Sequence, residues 1–79
     1  MGWPEVDSKV KERLEREFIS CLEKRELDYV KSVITSIIME EVPEIAEATI
    51  RAAIDECCCK LDAPRPRYQF MQCVREKLS

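Results

Sequence analysis

The chain has 79 residues, 46% apolar and 37% charged, with a net charge of −3. That is one domain at most, too apolar for a disordered chain and too charged for a membrane protein. The acidic balance also argues against sequence-independent nucleic-acid binding, which needs a concentrated basic patch.

The first segment runs over residues 4–25. Val6, Val10, Leu14, Phe18, Cys21 and Leu22 recur at the spacing of one helical face. Glu5–Lys9 and Glu12–Arg16 stand four apart on its charged side and can support a helix. Pro4 suits a first helical turn. The second segment, 27–42, is rich in β-branched residues, but its period is helical. Val30, Val33, Ile34, Ile37 and Ile38 fall on one face, whereas a strand would scatter them over both. Asp28 is the expected N-cap. Carrying the first stripe onward would put Ser36 and Glu40 on the apolar face, so a break is expected between Glu23 and Asp28.

The third segment spans 43–61, with Pro43 at its start and Glu44 and Glu47 near the positive end of the helix dipole. Its main stripe is Ala46, Ile50, Ala53, Ile54, Cys57 and Leu61. A second strip follows Ile45, Ala48, Ala52 and Cys59. The stripe runs straight through Glu44 to Ile54, so this is one helix and not a helix-turn-helix. Residues 62–66, with Pro64 and Pro66, read as a loop. The fourth segment, 67–78, buries Phe70, Met71, Val74 and Leu78. The fold expected is an all-α bundle of about four helices in a single domain over residues 1–79.

A core this small supplies roughly 3–5 kcal/mol, so a disulfide, a metal or a partner subunit is an expected support. Five cysteines are present: Cys21, Cys57, Cys58, Cys59 and Cys73. On a helix, adjacent side chains point about 100° apart, so the triplet cannot converge on one ion. Neighbouring Cα atoms are also too close for a disulfide, at about 3.8 Å. Only Cys21 and Cys73 remain as intrachain partners, and at least one thiol stays unpaired within the chain. The first expectation is that Cys21, Cys57 and Cys73 are small buried hydrophobes. A disulfide from Cys73 to the third segment is a second reading. A zinc or iron–sulfur site through Cys57, Cys58, Cys59, Cys73 and Cys21 is a third, and it requires the helix to unwind. None of the usual ligand spacings is present. Cys58, placed on the polar face, is the candidate for an exposed reactive thiol.

There is no histidine and one glycine, Gly2. The commonest general base and the glycine-rich phosphate loops are therefore missing, and an enzyme is not expected. Clustered Glu40, Glu41, Glu44 and Glu47 read as solvated carboxylates at a helix start. No stretch is long and apolar enough for the roughly 20 residues of a membrane span. The charged N-terminal run lacks the apolar core of a signal peptide, so the cytoplasm is the expected compartment.

The nearly uncharged run from Tyr29 to Met39 suggests either a central helix or an interface. The function expected is a protein–protein interaction module, self-associating or binding a protein partner, with no cofactor. Its interface candidates are Val30, Ile34, Ile37 and Ile38, together with Arg65, Arg67 and Tyr68, which suit an acidic partner. The alternatives are a cysteine-based metal, iron–sulfur or redox protein and a transcription-associated or nucleic-acid-binding accessory.

Overall fold

Helices form where the apolar period runs: α1 (Trp3–Arg13), α2 (Lys24–Glu41), α3 (Glu47–Lys60) and α4 (Arg67–Leu78). The computed structural model describes residues 2–61 and 65–78. The first three residues of the expected 62–66 loop thus lie outside the described residues. Among the described residues the one β feature is an antiparallel bridge between Phe18 and Pro66. Over the described residues the protein is an all-α bundle of four helices, as its sequence pattern predicts. α2 packs against α1 and α3, α3 against α4, and α1 touches α4 along the thinnest seam of the four.

Two boundaries differ from the sequence reading. The first segment is helical only to Arg13; Leu14 turns extended, at φ −101° and ψ 90°. Residues 14–23 form a non-helical strap that leads into α2 at Lys24. The i, i+4 pattern continues through Phe18 and Leu22, yet Phe18 is 51% and Leu22 91% exposed. The physical reason is tertiary. The carbonyls of Leu14 and Arg16, which a longer helix would bond internally, accept hydrogen bonds from Arg67 instead. The strap also pairs with residues 65–67. Such long-range partners override local helical propensity, even for good helix formers such as Leu14, Glu15 and Arg16.

The third helix starts at Glu47 rather than Pro43. Residues 43–46 make the reversal from α2, with the Ile45 amide donating to the Val42 carbonyl at 3.3 Å. Ala46 takes the N-cap position in extended backbone. Asp28, expected as an N-cap, lies inside α2, four residues after its start at Lys24.

The core joins all four helices: Val6, Val10 and Leu14; Val30, Val33, Ile34, Ile37 and Ile38; Ile50, Ala53, Ile54 and Cys57; Phe70, Met71, Cys73 and Val74. α2 is the central apolar element, which explains its low charge. Its one mid-helix cation, Lys31, reaches Asp55 of α3 at 2.5 Å. Among the described residues Thr35 is the buried polar exception, and its Oγ1 has no hydrogen-bond partner there. Lys9 ties α1 to the end of α2 through Glu40 at 2.9 Å and Glu41 at 2.6 Å. The bonds from Lys9 hold the Glu40 carboxyl below its ordinary pKa and raise that of Lys9.

Candidate functional site

The cysteine triplet sits in the last turns of α3, and helical phase sends its members three ways. Cys57 faces inward and forms a disulfide with Cys73 of α4, with Cα atoms 6.0 Å apart. Cys58 forms a disulfide with Cys21 of the strap, with a Cα separation of 5.9 Å. Both separations fit the usual span of roughly 4.4–6.8 Å. Cys59 is the free thiol and is exposed. The first expectation, that Cys21, Cys57 and Cys73 are unlinked packing residues, is corrected. So is the assignment of the exposed thiol to Cys58. Cys57 and Cys73 do pack in the core, but as a cross-link. The four linked sulfurs are not the thiolates that a zinc or iron–sulfur site takes. Among the described residues no cluster of three or more Cys, Asp or Glu has the arrangement of a metal site.

The strap is fastened at several points. Leu14 and Ile19 are buried in the core. The Ile19 amide donates to the Arg65 carbonyl at 2.8 Å, and the Arg67 amide to the Glu17 carbonyl at 2.7 Å. Arg16 pairs with Glu26, and its guanidinium lies 5.7 Å from the centroid of the Tyr29 ring. The Arg65 and Arg67 side chains, expected on the surface, turn inward to backbone. Arg65 Nε donates to the Leu61 carbonyl at 2.8 Å and Nη2 to Cys58 at 3.3 Å, closing the end of α3. Arg67 Nη1 donates to the Leu14 carbonyl at 2.9 Å and also to that of Arg16. Both arginines thus have an internal role that their position in a proline-rich loop did not reveal.

Along the thin α1–α4 seam lies a hollow of about 270 Å³, lined by Asp7, Val10, Lys11, Arg67, Tyr68, Met71, Gln72 and Arg75. Its floor is the buried pair Val10 and Met71. Its rim carries three cations and one carboxylate. The Arg75 guanidinium sits 5.8 Å from the Trp3 ring centroid, a cation–π distance. Burial raises the Asp7 carboxyl above its ordinary pKa, and the Arg75 charge only partly offsets this. A second hollow, of about 310 Å³, adjoins the first and shares Arg67 and Tyr68 with it. Glu17, Phe18 and Pro66 complete its lining. Tyr68 is 69% exposed.

Of the interface candidates, Val30, Ile34, Ile37 and Ile38 are fully buried inside the chain's own core. Only Arg67 and Tyr68 line the groove. Its further members Lys11, Arg75 and Phe18 escaped the sequence reading, because α1 and α4 meet only in three dimensions.

Fold and cross-links together define a small all-α bundle closed by two disulfides. No protein-family model, curated protein or solved structure matches the chain.

Proposed function

We propose that the protein is a small interaction module that docks a segment of a partner protein along the α1–α4 groove. The observation that carries this reading is the pair of adjoining hollows joined at Arg67 and Tyr68, with the half-exposed ring of Phe18 at one end. Each is at or near the lower limit of the roughly 300–1,000 Å³ typical of small-molecule sites. Hollows of that size accept single side chains better than a whole cofactor. Tyr and Arg are also the residues most often found as interface anchors.

Self-association through α2 is not part of this reading. Its low charge is accounted for by its central place in the core, and the two disulfides supply the support that a small domain needs. These bonds favour an oxidising compartment, or the disulfide-rich cytosol of a hyperthermophile, over an ordinary reducing cytoplasm.

The test is display of a random peptide library against the folded, oxidised domain, with parallel selection against Tyr68→Ala and Phe18→Ser. Enriched sequences that lose binding to either variant support the reading. Absence of enrichment, or enrichment indifferent to both substitutions, refutes it.

A further inference from the structure

We infer that the docked segment is acidic, placing a carboxylate among Lys11, Arg67 and Arg75 and an apolar side chain on Phe18 and Tyr68. This rests on the interaction reading above and names its ligand chemistry. The chain as a whole is acidic, at −3, yet the first hollow gathers three cations against the single carboxylate of Asp7. A concave positive site on a negative protein selects anionic partners and repels copies of the protein itself.

Two of the cations are oriented before any ligand arrives. Arg67 is held through Nη1 by the strap carbonyls of Leu14 and Arg16. Guanidinium has five N–H donors, so Nε and Nη2 are left for a carboxylate. Arg75 is steadied over the Trp3 ring. Pre-oriented donors lose less entropy on binding, and guanidinium matches the two oxygens of a carboxylate. The buried Val10 and Met71 floor lowers local solvation, so charges at the rim are screened less than on an open face.

The neighbouring hollow supplies the second half of the recognition. Phe18, Pro66 and the Tyr68 ring make an apolar platform, while Glu17 at its edge disfavours a second acidic group there. The hollows share a wall. One extended segment therefore fills both, because its same-face side chains recur about every 6–7 Å. The ligand signature is an Asp or Glu within two residues of an aromatic or large aliphatic side chain.

The experiment titrates oxidised, isotope-labelled protein with three probes while amide shifts are followed. One is a Gly/Ser-framed peptide carrying Glu-Gly-Phe, the second its Gln-Gly-Phe counterpart, and the third a short oligothymidine. The expected result is saturable binding of the Glu peptide, with shifts at Lys11, Phe18, Tyr68 and Arg75. The Gln peptide should bind roughly tenfold more weakly, the loss of one charge-assisted contact. Arg75→Gln should weaken the Glu peptide several-fold, with the helical circular dichroism unchanged. Equal binding of Glu and Gln peptides overturns the acidic inference and leaves the interaction reading standing. No binding of either peptide, combined with an empty library selection, overturns both. Preferential binding of the oligothymidine at these residues overturns the inference in favour of a nucleic-acid ligand.

Discussion

Adjacent residues of α3 begin the two disulfides, and the two bonds tie α3 to different neighbours. On the α3–α4 side, Cys57–Cys73 lies in the core between helices that already pack, and closes 16 residues of sequence. On the α1 and strap side, Cys21–Cys58 is half-exposed and closes 37 residues. It secures a segment that has only Leu14 and Ile19 in the core. Loop entropy gives the inner bond about 3 kcal/mol and the outer about 4. The larger unfolded-state effect thus falls on the bond whose native surroundings are less well packed. Packing and cross-linking divide the work: where apolar contact is dense the disulfide is a supplement, and where it is sparse the disulfide replaces it.

The largest effect expected is from opening both bonds. Their combined contribution, about 7 kcal/mol, exceeds the roughly 3–5 kcal/mol of a core this size. The fully reduced chain should therefore be unfolded by circular dichroism in buffer. A reduced chain with native helicity and an unchanged denaturation midpoint would break the comparison at its root.

Next come the single cross-links. Cys57→Ala with Cys73→Ala should cost about 3 kcal/mol in chemical denaturation, spread over the whole molecule. Cys21→Ala with Cys58→Ala should do something different. Hydrogen exchange at the Ile19 and Arg67 amides, which bond across the strap, should rise well ahead of exchange in α3 and α4. Under graded reductant, the half-exposed Cys21–Cys58 bond should open first, read by alkylation and peptide mapping. Uniform exchange in both variants would mean that the strap and bundle are one cooperative unit.

The four-helix count, the residues of α4 and the apolar face of α2 were legible in the sequence, because each is a local periodicity; the burial of Thr35 beside that face was not. Residues 14–23 were not. Phe18 and Leu22 continue the spacing of Val6, Val10 and Leu14, and nothing local says that Arg67, some fifty positions on, will take the carbonyls of Leu14 and Arg16. The cysteine geometry was half legible: the short Cα spacing of consecutive residues already argued against pairing of neighbours in the triplet and left Cys21 and Cys73 as partners. Which sulfur met which depended on where the strap crossed α3. The groove was the least legible feature, since its cations come from both ends of the chain.

Two smaller effects sharpen the contrast between the sides. On the core side, Thr35→Val removes an unpartnered buried hydroxyl at nearly constant shape. It should stabilise the protein by about 1 kcal/mol, seen as a higher thermal midpoint; a lower one would mean that the hydroxyl has a partner in solution. On the groove side, Asp7 has its folded-state pKa raised by burial. Its contribution is greatest below the ordinary carboxylate pKa and is lost as pH rises through the folded value. Asp7→Asn should therefore match the wild type in acid and be slightly more stable at neutral pH. The opposite trend would indicate that Arg75, not burial, governs this carboxyl.

The triplet also bears on how the protein reaches its native connectivity. Cys57, Cys58 and Cys59 are chemically alike and contiguous, so an unstructured chain would oxidise them almost at random. What distinguishes them is rotation about the α3 axis: one faces α4, one faces the strap and one faces solvent. A formed helix thereby acts as a template for oxidation, and a pairing shifted by one residue would have to unwind it. The helical register of α3 thus selects which sulfur meets which partner.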